Sequence, residues 1–167
     1  MEHTRTFNAP PKRVGFLLMD QFTLISLSSA IDPLRVANLL SDTALYSWHL
    51  IGSGERDQVS SDGIRVTLDY TLSDEADFDL VIVVGGIDIE QSVQRSDLAW
   101  LRKQAQKGAQ LGALCTGSYA LASAGLAPFA AESELIEFDY QVLEVSPSDT
   151  GASESPSTGL SLVPVNI

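Results

Sequence analysis

The stretch Asp79–Gly86, DLVIVVGG, constrains this chain more than any other. Leu80–Val84 offers no polar position on either face, so a strand here must be covered on both sides. Sheets buried on both faces are mainly parallel, because the helices that connect parallel strands also cover them. Gly85 and Gly86 end the run where the backbone must turn or approach another segment closely. Val14–Met19, VGFLLM, has the same unbroken apolar character and predicts a second strand of this kind.

Other segments fit around these two. Leu27, Ala30, Ile31, Leu34, Ala37 and Leu40 recur at helical spacing. Ser26 or Ser28 is the expected cap of that helix, and Pro33 predicts a kink or a late start. Tyr46–Gly52 alternates and is rich in strand formers, and Gly63–Tyr70, GIRVTLDY, predicts a further short strand. Ser96–Gly108 predicts a helix capped by Ser96 and closed by Gly108. Gln110–Leu114 predicts a strand, and TGSYALASAGL after it a helix ending near Gly125. The order is strand, helix, strand, strand, strand, helix, strand, helix, with no internal repeat. It predicts an α/β fold with a mainly parallel sheet.

A chain of 167 residues with 44% hydrophobic content suits one folded domain. No apolar run approaches the ~18–20 residues that span a bilayer. Residues 1–11 read as a polar leader without a signal peptide's apolar stretch, so no membrane association and a cytoplasmic location are expected. A single cysteine excludes an intramolecular disulfide. The net charge of −12 argues against direct nucleic-acid binding by this chain. That charge is uneven. Residues 1–127 carry 15 acidic and 10 basic side chains, whereas residues 128–167 carry 7 acidic and none basic. Residues 128–167 are expected to form a divergent acidic, Ser/Pro-rich tail, partly disordered around Ser146–Gly159.

Cys115 stands where an apolar strand meets Thr116-Gly117 and then an apolar-periodic helix. A sharp strand-to-helix turn pushes a nucleophile out of the fold, and a helix N-terminus favours the thiolate. The backbone N–H after such a residue, together with one from Gly85 or Gly86, suits an oxyanion site. Open parallel sheets bind ligands at these strand ends. The competing reading is a small core hydrophobe. The turn residues after Cys115 favour the exposed elbow.

The runs RVGFLLMDQFTLISLSSAIDPLRVAN, LYSWHLIG, DLVIVVGG and GALCTGSYALASAGL together resemble the class I glutamine amidotransferase-like (ThiJ/PfpI-like) domain. More narrowly, they resemble the version at the N-terminus of AraC-type transcriptional regulators. Ala30–Asn38 matches that version's A-x-[DE]-P-L-R-x-A-N run, and the wording is most like regulators of choline, glycine betaine and carnitine catabolism. The resemblance covers about residues 12–127. It implies a flavodoxin-like three-layer sandwich, often dimeric, with Cys115 at the elbow and Gly86 at the oxyanion-side glycine.

The chain departs from catalytic members of that family. They pair the cysteine with an acid and often with a later histidine. Ser26 stands where isocyanide-hydratase-like members carry Asp, and Asp32 matches the Glu of the same motif. The histidines, His3 and His49, both precede Cys115. After Gly125-Leu126-Ala127-Pro128 the family's His-Trp-Glu segment has no counterpart, so a truncated, frame-shifted or divergent end is expected.

Asp74–Asp79 reads as a solvated acidic loop, with no metal site expected. Arg102, Lys103 and Lys107 read as a solvated helix face, and Trp100 as core. Trp48 is left open between core and pocket lining. No phosphate-binding glycine loop is present, and no cofactor is expected. The leading expectation is a ligand-sensing and dimerisation domain of an AraC-type regulator, whose helix-turn-helix domain is not in this chain. The effector is expected to be a small metabolite, a quaternary amine fitting best, held near Gly85, Gly86, Ile87, Cys115, Thr116, Ser26 and Asp32. The alternatives are a cysteine-dependent hydrolase or hydratase, with Cys115 as nucleophile and Asp32 as acidic partner, and a non-functional fragment that only dimerises.

Overall fold

The computed structural model describes residues 10–126, except Asp42 and Glu55. The expected tail, residues 128–167, and most of the expected leader lie outside the described residues. At the centre is β1 (Lys12–Leu18), paired in parallel with β2 (Tyr46–Gly52) on one side and with β6 (Leu80–Val84) on the other. Strand β7 (Gln110–Leu114) follows beside β6, and the two-residue β5 (Tyr70–Thr71) lies beside β2. The order is β5-β2-β1-β6-β7 and every pairing is parallel. A separate antiparallel hairpin joins β3 (Asp57–Val59) to β4 (Arg65–Thr67).

The helices divide between the two faces of the sheet. Helix α1 (Leu24–Ser41) packs through Leu27, Ile31 and Leu34 on Val14, Phe16, Leu18 and Val84. On the opposite face, α3 (Arg95–Gln106) and α4 (Ser118–Ser123) bring Trp100, Leu101, Ala120 and Leu121 against Leu17, Ile51, Val81 and Val83. The short helix α2 (Ile89–Ser92) precedes α3. Alternate residues of β1 therefore feed two cores, which is why its apolar run is unbroken. Each side chain buried completely, such as Phe16, Leu17 and Leu101, contributes roughly 1.5–3 kcal/mol. The layers and strand order are those of a flavodoxin-like sandwich.

Three sequence expectations need correction. Helix α1 starts at Leu24, not late, and runs through Pro33 without ending. Ser26 and Ser28 lie inside it, and Ser28 Oγ donates to the Ile25 carbonyl at 3.1 Å. The capping position belongs to Thr23, whose carbonyl accepts the Leu27 N–H at 3.3 Å. Helix α3 starts at Arg95, so Ser96 is internal. Gln94 is its N-cap, and Asp97 closes a capping box by accepting the Gln94 N–H at 2.7 Å. Gly108 does take the left-handed conformation after α3, with φ +91°. Gly63–Tyr70 resolves into β4 and the start of β5 rather than one strand.

His49 and Trp48 on β2 face opposite sides of the sheet. His49 packs edge-on to Tyr70, with ring centroids 5.4 Å apart, and lies 6.0 Å from Phe78. Arg13 sits 5.2 Å over the Phe78 ring and donates to the Tyr70 hydroxyl at 3.2 Å. Burial, and then the nearby Arg13 charge, hold the His49 pKa below the ordinary histidine value, while Asp69 opposes the shift. Trp48 is half-buried against the α1-side core.

Candidate functional site

The winding of the sheet reverses between β1 and β6. From β1 the chain crosses by α1 to β2 on one side, and from β6 it crosses by α3 to β7 on the other. In open α/β sheets this reversal leaves a crevice at the carboxyl ends of the strands. Three connections meet there: Met19–Thr23 after β1, Gly85–Asp88 after β6, and Cys115–Gly117 after β7.

They meet because glycine lets them touch. A Cβ on Gly86 would lie 1.8 Å from the Gln21 carbonyl oxygen, one on Gly85 2.2 Å from the Gly117 nitrogen, and one on Gly117 2.3 Å from the Val83 oxygen. Hydrogen bonds fasten the contact. The Thr23 N–H donates to the Gly85 carbonyl at 2.9 Å and the Ile87 N–H to the Gln21 carbonyl at 3.3 Å. Thr116 Oγ1 donates to the Gly86 carbonyl at 2.8 Å, and the Gly85 N–H donates to the Leu114 carbonyl at 3.1 Å. That last bond occupies the Gly85 amide.

Backbone strain collects at the same place. Among the described residues, Gln21, Asp88 and Cys115 are the non-glycine residues with positive φ, at +50°, +51° and +54°. One stands in each connection. A left-handed side chain costs on the order of 1–2 kcal/mol and persists only where its surroundings impose it. Cys115 opens a 3-10 turn, Cys115–Gly117, that leads into α4, and it is exposed. Thr23 Oγ1 donates to Cys115 Sγ at 3.5 Å. The strand–Cys–turn–helix layout thus gives an outward elbow and not a core position.

The other candidate residues spread outward from this point. Gly85 and Gly86 are buried within the junction, Ile87 is 54% exposed, and Thr116 is exposed beside the thiol. Ser26 lies in the first turn of α1, where its carbonyl accepts Ser29 Oγ at 3.0 Å. Asp32 lies more than one turn farther along α1, exposed, and accepts Arg35 Nε at 2.8 Å. His49 sits on β2 in the aromatic cluster with Tyr70 and Phe78, so its ring is committed elsewhere. Sequence reasoning missed Thr23 and Gln21. The signal for Thr23 is a cap-type residue between a strand and a helix, in QFTL.

No group of three or more His, Cys, Asp or Glu with metal-binding geometry occurs among the described residues. None of their helices is long and apolar enough to cross a membrane.

A flavodoxin-like sheet with a strained cysteine elbow at its reversal point defines a recognisable class of α/β domain. Residues 12–131 match the DJ-1/PfpI family model, and the chain belongs to that family. It is 50% identical over 119 residues to the HTH-type transcriptional regulator GbdR of Pseudomonas aeruginosa, covering 71% of this chain and 32% of that protein. It is 38% identical over 111 residues to the HTH-type transcriptional regulator CdhR of the same species, covering 66% of this chain and 33% of that protein. The chain therefore spans about a third of the length of these regulators. Among solved structures, an AraC family transcriptional regulator from Pseudomonas putida superposes with a TM-score of 0.62 at 27% identity, covering 70% of this chain and 62% of that one.

Proposed function

We propose that this chain is the effector-sensing domain of an AraC-type transcriptional regulator, and that a helix-turn-helix domain of the same regulator contacts DNA. The observation that carries this reading is the junction at the sheet's reversal point. Three strained connections there lock together around an exposed Cys115 whose described hydrogen-bond partner is the Thr23 hydroxyl. A threonine hydroxyl can orient a ligand but cannot take a thiol's proton near neutral pH. Effector binding at Gly86, Ile87, Cys115 and Thr116, with Ser26 along α1, would change how the three connections sit. In a cytoplasmic homodimer that change would pass to the attached DNA-binding domains.

Charge supports an effector that presents an alkylammonium group, a quaternary amine fitting best. The segments bordering the thiol, residues 19–25, 60–64, 85–92 and 114–119, carry Asp20, Asp62, Asp88 and Glu90 and no basic residue. The hairpin segment belongs to this border because Phe22 bridges Ser60 on one side and Gly86 on the other. Tyr119, 40% exposed, adds an aromatic surface suited to an alkylammonium group. Isothermal titration calorimetry with glycine betaine, dimethylglycine and carnitine tests this. Binding by one of them, weakened by Asp88→Asn, is the expected result. Absence of heat from all three removes the ligand class.

A second reading rests on the left-handed Cys115 itself, a conformation that places a nucleophile outward in cysteine-dependent hydrolases and hydratases. Turnover lost on Cys115→Ser, with a thiol pKa well below ~8.5, would favour it.

A further inference from the structure

A concavity opens at the β2–β5 edge of the sheet, with a volume of about 550 Å³. It shares no lining residue with the Cys115 junction. The segment after β2 contributes Ser53, β5 contributes Thr71 and the segment after it Ser73, and α3 contributes Ser96, Trp100 and Lys103. Positions 96, 100 and 103 form one helical stripe. The cleft therefore lies outside the carboxyl ends of two parallel strands, roofed by the helix on that face.

Its chemistry is donor-rich. Hydroxyls of Ser53 and Ser96 and the Lys103 ammonium border it, the Ser73 hydroxyl is committed to Thr71 Oγ1 at 2.7 Å, and no carboxylate is among its lining residues. The nearby acids are already engaged. Asp74 accepts the Thr71 N–H at 2.6 Å and Thr71 Oγ1 at 3.0 Å, and Asp77 is paired with Lys107. Lys103 has no ion-pair partner among the described residues. In a chain of net charge −12, a lysine ammonium and two serine hydroxyls thus border a cleft that no carboxylate lines, with Asp77 the acid within coulombic reach of Lys103. Trp100 supplies an apolar wall behind them, being only 6% exposed.

We infer that this cleft binds a small oxyanion, a carboxylate or phosphate, carried on a compact apolar group. Lys103 and the hydroxyls of Ser53 and Ser96 hold the anion by charge-assisted hydrogen bonds, and the apolar part lies against Trp100. The site is independent of the junction at Cys115 and would give the domain a second ligand input.

The test uses the full 167-residue chain. The probes are sodium benzoate, a carboxylate on a flat apolar group, and inorganic phosphate, with sodium chloride at matched ionic strength as control. Because the chain has two tryptophans, Trp48→Phe isolates Trp100 emission, and calorimetry on the unsubstituted chain provides a second readout. The expected result is a saturable change with benzoate or phosphate, its Kd raised about tenfold by Lys103→Gln and several-fold by Ser96→Ala. Lys103 is exposed on α3, so Lys103→Gln is expected to leave the fold intact. Benzoate binding tighter than phosphate assigns the apolar wall a role, and the reverse assigns the site to phosphate; either supports an oxyanion site. No saturation in either readout, the same change with chloride, or an unaltered Kd in Lys103→Gln overturns it.

Discussion

Three residues show most directly how local conformation and environment bear on stability. Cys115 holds φ at +54°, a conformation that glycine adopts freely and other residues at a cost. Cys115→Gly is therefore expected to be more stable than Cys115→Ala by about 1 kcal/mol, measured by urea unfolding. Equal stabilities would show that the turn is not strained. Gly86 makes the opposite demand, since a Cβ there would meet the Gln21 carbonyl at 1.8 Å. Gly86→Ala is expected to cost about 1–3 kcal/mol by overpacking backbone against backbone. His49 adds a pH dependence. Its folded pKa lies below its unfolded value, so the unfolded chain binds the proton first as pH falls. Stability from this group is full above about pH 6.5 and is lost as pH drops through that value towards the depressed one. Replacing His49 by Phe should flatten the stability profile in that window, as read by thermal unfolding at successive pH values.

At the level of elements, periodicity identified the helices but not where they begin. The spacing from Leu27 to Leu40 placed α1, yet its start is set by Thr23, which is held to Gly85 by a backbone bond and to Cys115 by its hydroxyl. Such partners are distant in sequence, so no local pattern reveals them. The start of α3, by contrast, is set within one turn. Gln94 and Asp97 form the capping box, and Asp97 is 1% exposed with one carboxylate oxygen left without a partner among the described residues. Burial raises the Asp97 pKa and the Gln94 N–H partly offsets it. The folded state thus favours the protonated acid. This contribution is most favourable below about pH 3.8 and is lost as pH rises through the raised folded value. Asp97→Asn keeps an acceptor for the cap without the charge. Its stability relative to the unsubstituted protein should therefore rise between pH 4 and neutrality, and a constant difference across that range would contradict this.

For the whole molecule, the arrangement of strands governs where function can sit. The sheet's reversal between β1 and β6 brings together residues nearly a hundred positions apart, from Gln21 to Gly117. Electrostatics governs what the chain can approach. With a net charge of −12, it is expected to give no mobility shift with double-stranded DNA at micromolar concentration. A shift that weakens as salt rises would contradict the assignment of DNA contact to another domain. The face of the sheet under α1 also keeps Leu80, Ile82 and Leu114 only partly buried, and Leu40 of α1 is 80% exposed. These surfaces are consistent with further association, which light scattering of the full chain would measure.

The sequence alone determined the class of this protein. Two unbroken apolar runs require a sheet covered on both faces, and the Cys-Thr-Gly turn after a third strand marks an elbow, because both follow from rules that act over a few residues. Only the tertiary structure decided which residues meet at that elbow. It placed Thr23 beside the thiol and set His49 among aromatic rings. Those outcomes depend on strand order, register and the close approach that Gly85, Gly86 and Gly117 permit, all of which are set by contacts between distant parts of the chain.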